Sequence, residues 1–347
     1  MSIRNAPHQR ERHRGGPAAA VFEGVPTRTT EISDPDKIMA GSQPWPHVYK
    51  QFSSGRFRIR TTVTRTSQLE LTRDRTATGV LINGDGLQGA VGFACFADDD
   101  VPRYADRAHR EGELLVLGQR SEFHYVSYGP DEWTFVGVGA AKLAEWSTAS
   151  GNEHLLDAAV GSRIGLRDQR ARRALQSRLT AALHAFQQTR SAEAFEREVL
   201  WTIASCTTPS STEPQCNLGT IAEHARRYVE IELAAGGSLL AAYARMGVAP
   251  RTVQKAFVLR FGVSPQQYRT MLQLNRARSL LARLRGRDPV RRAAVESGFT
   301  HFGRFARLYR DFFNELPSHT MKRAKDARAR SPSAARAACE HLPRKLP

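Results

Sequence analysis

Twice in its last third the chain repeats one pattern: a helix-length apolar run, a glycine-centred turn, then a second run with a basic outward face. Residues 238–262 read SLLAAYARMGVAPRTVQKAFVLRFG, with the turn at Met246, Gly247 and Val248. Helical periodicity sends Leu240, Tyr243 and Ala244 inward from the first run, and Val253, Phe257 and Phe261 inward from the second. Arg251, Thr252, Gln254 and Lys255 are left facing outward. Residues 288–317 repeat the grammar as DPVRRAAVESGFTHFGRFARLYRDFFNELP. Here Ala294, Phe299, Phe302, Phe305, Tyr309 and Phe313 form the inward side, while Arg304, Arg307 and Asp311 face out and His301 stands at the helix start. Between the repeats, residues 265–284 carry the apolar stripe Tyr268, Leu274, Ala277, Leu281 and Leu284 of one long helix. This is helix-turn-helix grammar written twice on one connector.

The chemistry of the outward faces suits DNA. Arg and Lys reach guanine acceptors in the major groove, and Gln bonds adenine bidentately. A single such face is equally an ordinary solvated helix surface; its recurrence favours the groove. Two helices held on one rigid connector can enter successive major grooves about 34 Å apart. Charge agrees. The chain has 51 Lys and Arg against 34 Asp and Glu in 347 residues, a formal +17, and residues 217–330 alone hold 22 against 8. So local an excess calls for a polyanionic partner. No apolar run has the length of a membrane-spanning helix, and the Arg-rich opening segment has no apolar signal-peptide core, so the expectation is a cytoplasmic protein without a membrane partner. Cys95, Cys206, Cys216 and Cys339 fall at no metal-ligand spacing and read as free thiols, although Cys206 and Cys216 flank a polar run that a redox loop could close.

The first half is written differently. From residue 52 to residue 146 short runs such as FRIRTTVT, TGVLI, GAVGFACF, ELLVLG, FHYVSYG and WTFVGVG alternate with polar turns, predicting strands of a small antiparallel β-barrel or jelly roll of cupin-like type. Asn83-Gly84-Asp85-Gly86 between two runs predicts a tight hairpin. Residues 153–205 change to helical period, with Leu175, Leu179, Leu183 and Phe186 on one face and Phe195, Val199, Leu200 and Ile203 on another. Those faces either pack on their own domain or form the seam of a homodimer. The predicted class is therefore α+β: a basic unfolded tail over 1–30, a sensing or dimerising domain over 31–205, a linker over 206–216, an all-α domain over 217–326, and a second basic tail over 327–347.

Inside a barrel, Phe93, Phe96, Phe123, His124, Tyr125, Tyr128, Trp133 and Phe135 are the candidates to line a small-molecule pocket. No catalytic triad, metal-ligand set or cofactor motif stands out. His109 and His124 are too far apart in sequence for a cupin metal site, and Gly137-Val138-Gly139 before Ala140, Ala141 and Lys142 reads as a strand end rather than a phosphate loop. Neither a catalytic residue nor a cofactor is therefore expected. The alternatives are a cupin-type enzyme with a DNA-binding appendage, and a packaging protein that binds nucleic acid by charge alone.

With these residues in view, segment 217–326 resembles the DNA-binding domain of the AraC/XylS family of bacterial transcription regulators. RFGVSPQQYRTMLQLNRARSLL and SGFTHFGRFARLYRDFF carry the resemblance across about a hundred residues. It implies double-stranded DNA and RNA polymerase as partners. It matches Arg251, Gln254 and Lys255 to base-facing positions of the first recognition helix, and Phe302, Gly303, Arg304 and Arg307 to those of the second. Phe302 and Gly303 offer no hydrogen-bonding side chain, so the second helix is expected to contact mainly phosphate. Ala249 stands where the family has a capping serine, a loss of about 1 kcal/mol, and Asn314-Glu315-Leu316 replaces Gly-x-Ser before Pro317. SDPDKIMAG and the following YKQFSSGRFRIR are similar to the sensing half of regulators of the ethanolamine-utilisation type, from which no effector is carried over.

Overall fold

A computed structural model of the protein describes residues 21–38, 45, 47–97, 103–105, 113–118, 122–161, 163–208 and 217–330. Alternating runs of the first half pair antiparallel into two sheets. The larger has the order β1 (Val25–Ile32), β3 (Ile59–Arg65), β4 (Leu69–Thr76), β10 (Glu132–Gly139), β6 (Ala90–Phe96), β8 (Glu113–Leu117), β11 (Arg163–Leu166) and β12 (Thr207–Thr208). The smaller has the order β2 (His47–Gln51), β5 (Val80–Asp85), β9 (Glu122–Ser127) and β7 (Arg103–Ala105). They face each other across a core that includes Trp45, Tyr49, Ile59, Ile82, Phe96, Phe123, Tyr125, Trp133 and Phe135, closing the jelly roll.

Period two decides what lies on the other side of the large sheet. Leu69 and Leu71, Val91, Phe93 and Cys95, and Val136 and Val138 point away from the jelly-roll interior into a second core. That core is covered by α1 (Ala140–Ser150), α2 (His154–Gly161), α3 (Gln169–Thr189) and α4 (Ala192–Cys206). Both helical stripes, Leu175 to Phe186 and Phe195 to Ile203, are buried here within one chain. The dimer-seam reading of those faces is thereby corrected: a stripe already packed on its own sheet is not available to a second copy.

Three other expectations change. Asn83, Gly84 and Asp85 are not a hairpin turn but the end of β5, paired with β2 on one side and β9 on the other. The next strand, β6, belongs to the opposite sheet, so the chain crosses rather than reverses. The tail expected to reach residue 30 ends earlier, because Phe22 is buried in the jelly-roll core and β1 begins at Val25. The expected linker begins with Cys206 closing α4 and Thr207–Thr208 pairing with β11, and the expected C-terminal tail begins inside α11 (Pro317–Arg330). Residues 1–20, 209–216 and 331–347, with Cys216, Cys339 and His109, lie outside the described residues. Cys95 and Cys206 are buried free thiols.

The last third is helical: α5 (Asn217–Ala234), α6 (Leu239–Met246), α7 (Pro250–Phe261), α8 (Pro265–Arg283), α9 (Pro289–Glu296), α10 (Phe302–Phe313) and then α11. α8 is the shared spine. Tyr268 and Leu272 in its first half join a core with α5, α6 and α7, and Leu274, Ala277 and Leu281 join another with α9 and α10. Its start is well specified, since Ser264 and Gln267 form a reciprocal capping box with Pro265 at the first helical position.

The helical domain docks on the small sheet through groups from both of its units. Asn275 of α8 accepts from the Gln51 backbone N–H (3.0 Å) and donates to its carbonyl (2.8 Å). The Gly55 N–H donates to the Phe312 carbonyl at the end of α10 (2.9 Å). Phe52 packs between Tyr128 and Tyr268, and His124 meets the Phe261 ring edge-on at 6.3 Å. Gly262, which ends α7 at φ +65°, leaves only 3.2 Å between where a Cβ would stand and the Tyr128 ring.

Candidate nucleic-acid interface and effector cavity

Helix α7 buries Val253, Ala256, Phe257 and Phe261 and leaves Arg251, Thr252, Gln254 and Lys255 exposed, all four on the face and near the N-terminal end where the sequence puts them. Neither cation is held in an ion pair with another described residue. Ala249 offers no side-chain cap, and Pro250 with Gly262 bounds the helix instead. In the helix before it the inward set differs from expectation. Leu240 is 72% exposed, and Leu239, Ala242, Tyr243 and Met246 make the packing contacts, with Ala244 exposed. Ser238 caps this helix by accepting from the Ala241 N–H, so the helical turn begins at Leu239 and its face is set from there.

Helix α10 buries Phe305, Tyr309, Phe312 and Phe313 and exposes His301, Gly303, Arg304, Arg307 and Asp311. Phe302 is the exception among the aromatics expected inside. It is 41% exposed, with the Arg291 guanidinium of α9 5.3 Å from its ring centroid. Standing at the first position of α10, it is three residues before Phe305 but beyond the edge of the α9–α10 core, and a cation covers its face instead. Arg291 is a cation of this surface that the sequence reading did not single out. Asn314 ends α10 at φ 52°, a left-handed helix end that asparagine tolerates in place of glycine.

Helices α7 and α10 touch the jelly roll near their C-terminal ends, at Phe261 and Phe312, while Arg251 and Arg304 stand near their opposite ends. They are spaced by α8, whose 19 residues rise about 28 Å at about 1.5 Å each.

The second feature is a cavity of about 50 Å³ between the sheets. Of the eight expected lining residues it is bounded by Phe96, Phe123, Tyr125, Trp133 and Phe135. Phe93 belongs to the helix-covered core, while His124 and Tyr128 face the helical domain. His124 lies between Phe123 and Tyr125 on one strand, so alternation alone puts it on the opposite face, where it bonds Asn83. Burial, with Arg226 and Lys50 nearby, keeps its imidazole neutral.

The polar lining was not foreseen: Glu70, Thr72 and Asp74 from β4, and His47 and Tyr49 from β2 beside Trp45. LELTRDRT reads as a strand with one solvated face, and nothing local says that its acidic positions point inward. Glu70 is paired with Arg65 and accepts from Thr72 (3.2 Å). Asp74 is 2% exposed, with the hydroxyl of Thr61, its cross-strand neighbour on β3, and the side chain of Trp133 donating toward its carboxyl. Burial pushes its carboxyl up to about 7, with the like charge of Glu70 adding to the effect. Burial moves the His47 imidazole the other way, to about 4. Among the described residues no group of three or more His, Cys, Asp or Glu is placed to hold a metal ion, and no helix is long and apolar enough to cross a membrane.

A family model described as a helix-turn-helix domain matches residues 243–323. Among curated proteins, the XylDLEGF operon transcriptional activator 3 of Pseudomonas putida is 36% identical over 84 residues, 22% of this chain and 24% of that one. The XylDLEGF operon transcriptional activator 2 of the same organism is 30% identical over 102 residues, 29% of this chain and 60% of that one. A solved structure of a probable AraC family transcriptional regulator from Rhodopseudomonas palustris is 32% identical, covering 30% of this chain and 97% of that one at a TM-score of 0.28. The match to the first of the curated relatives spans only a quarter of that relative's length.

Proposed function

The last third of this chain belongs to the AraC/XylS family, and from that premise we propose that the whole protein is a sequence-specific transcription regulator that sets α7 and α10 into successive major grooves of promoter DNA. The observation that carries this reading is the pair of exposed basic faces held at the two ends of α8, a connector about 28 Å long against a DNA repeat of about 34 Å. Arg251, Thr252, Gln254 and Lys255 are the base readers. His301, Arg304 and Arg307, with Arg291, hold the second helix mainly to phosphate. RNA polymerase is the partner the family resemblance implies, and the cytoplasm is where such a regulator meets its promoter.

Control by a small molecule fits the same architecture. The small sheet is a wall one strand thick: Tyr49, Ile82, Phe123 and Tyr125 face the cavity, while Leu81 and Val126 face the core shared with α5, α6, α7 and α8. A ligand that moves β5 or β9 therefore presses on the unit that carries α7.

Selection of bound fragments from random duplex DNA with the full chain tests the reading. The expected result is a motif with two blocks one helical turn apart, and Arg251→Ala with Gln254→Ala should flatten the block read by α7. Recovery of no motif, with affinity falling steeply with salt for every sequence, would leave only charge-driven packaging.

A further inference from the structure

We propose that Phe302 recognises a thymine in the block under α10 by apolar contact, its exposed ring lying on the C5-methyl group in the major groove, while Gly303 beside it lets the duplex come close to the helix backbone. Resting on the reading of the chain as a regulator of promoters, this gives its second unit a base to select.

The two recognition helices can be laid residue on residue. Each has 12 residues and ends on a left-handed residue, Gly262 for α7 and Asn314 for α10. Each buries its fourth, eighth and twelfth side chains, Val253, Phe257 and Phe261 in one and Phe305, Tyr309 and Phe313 in the other. With the buried faces matched, Thr252 and Lys255 fall on Arg304 and Arg307, so the cationic side is kept and extended. Arg251 and Gln254, which suit guanine and adenine, fall on Gly303 and Ala306. Hydrogen-bonded readout from those two positions is lost, and contacts to phosphate carry no sequence information. What α10 exposes instead is the Phe302 ring, 41% accessible at the first helical position, where α7 has Pro250. Residues at the N-terminal end of a recognition helix are the ones that meet base edges.

Gly303 marks this first turn as a contact surface. Glycine weakens a helix relative to alanine, and nothing inside the molecule asks for one here: the backbone is not left-handed, and a Cβ would meet no atom of the described residues within 4 Å. Gly262 and Gly298 differ in both respects, with φ of +65° and +84° and with Tyr128 and Gln273 standing 3.2 Å and 2.8 Å from where a Cβ would be. The remaining use of a residue without a side chain is close approach by something outside the chain, and on the exposed face of a recognition helix that is the duplex. Phe302 is also braced. The Arg291 guanidinium lies 5.3 Å from its ring centroid, while Arg292 next to it is paired with Glu296 at 3.7 Å. A guanidinium so placed steadies the ring and can bond the phosphate beside the recognised base. A phenyl ring has neither donor nor acceptor, and of the four bases only thymine offers it an apolar group in the major groove.

Fragment selection with the full chain supplies the duplex, and the block left unchanged by Arg251→Ala with Gln254→Ala is that of α10. Its thymines are then replaced one at a time by uracil, which lacks only the methyl group, and affinity is read by fluorescence anisotropy at fixed salt. At one position uracil is expected to weaken binding about fourfold, the effect of returning a single methyl group to water. Phe302→Ala should bind the thymine and uracil duplexes equally, with its circular dichroism spectrum unchanged. Gly303→Ala should raise Tm and yet weaken binding about tenfold, since the added methyl crowds the duplex and not the fold. Tolerance of uracil at every thymine of the block, a block without thymine, discrimination retained by Phe302→Ala, or unchanged DNA binding by Gly303→Ala would each overturn the assignment. All four come with a motif in hand and leave the regulator standing, whereas recovery of no motif removes the regulator and this assignment together.

Discussion

At the scale of single residues, Asp74 has the largest consequence that solution measurements can reach. Its folded carboxyl is raised from 3.8 to about 7, first by burial and then by Glu70, with Thr61 and Trp133 acting against the rise. The stability this group contributes is complete below pH 3.8 and is lost as pH rises through about 7, because above that the fold must hold an ionised carboxylate. Asp74→Asn removes the loss without changing the shape of the side chain. In urea unfolding at pH 8 the variant should be the more stable by on the order of 4 kcal/mol, and at acid pH where both side chains are neutral the two should coincide. Of the neighbouring groups, Tyr49 stays neutral across the window, and the His47 imidazole, lowered to about 4, charges only at its acid end and does so in both proteins. Five of the expected cavity residues are in the wall, and the misplaced ones are instructive. Phe93 and Phe96 are three apart on β6, and His124 is adjacent to two cavity residues on β9, so the alternation of a strand already separates them. That part was legible. The inward direction of Glu70 and Asp74 was not, since a polar residue on a strand reads as solvated unless a second sheet is known to cover it.

Helices are the scale at which sequence and structure agree most closely, and their ends are where the chain departs from its family. Ala249 starts α7 with extended backbone, at φ −56° and ψ 133°, and no cap. A serine there adopts the same backbone and accepts an orphan N–H of the first turn, so Ala249→Ser should raise stability by about 1 kcal/mol in thermal unfolding. DNA preference should not change, because the bases are read by side chains further along α7. On α10 the exposed Arg304 and Arg307 are assigned to phosphate. Replacing either by alanine should weaken binding to all sequences alike and lower the slope of log affinity against log salt by about one unit. An altered base preference in one block would instead make α10 a reader. Phe302 shows how an aromatic periodicity can mislead at a helix start. Its spacing to Phe305 is correct, but it stands beyond the edge of the α9–α10 core, and only the Arg291 side chain of α9 lies over the ring among the described residues.

For the whole molecule, the decisive feature is the docking of the helical domain on the small sheet. Asn275, near the middle of α8, satisfies both backbone groups of Gln51, so Asn275→Ala leaves a buried N–H and a buried carbonyl unpaired. A loss of about 2 kcal/mol or more is expected by urea unfolding. Hydrogen exchange should show the loosening along β2 and α8, with the exposed face of α7 unaffected. If β2 exchanged as in the unaltered protein, the contact would not be what joins the domains.

Periodicity, capping residues and the concentration of positive charge were enough to determine two helix-turn-helix units, their outward faces, the helical hairpin of the first half and the presence of strands before it. These are local properties, set by spacings of two, three and four residues along the chain. Only the tertiary structure decided that the stripes of α3 and α4 are covered within the chain, that β5 runs on through Asn83 and Gly84 between β2 and β9, and that one thin sheet separates an acidic aromatic cavity from the domain carrying α7. Each of those depends on which surface meets a given face, and that is a property of residues brought together from far apart in sequence, where the local pattern carries no information.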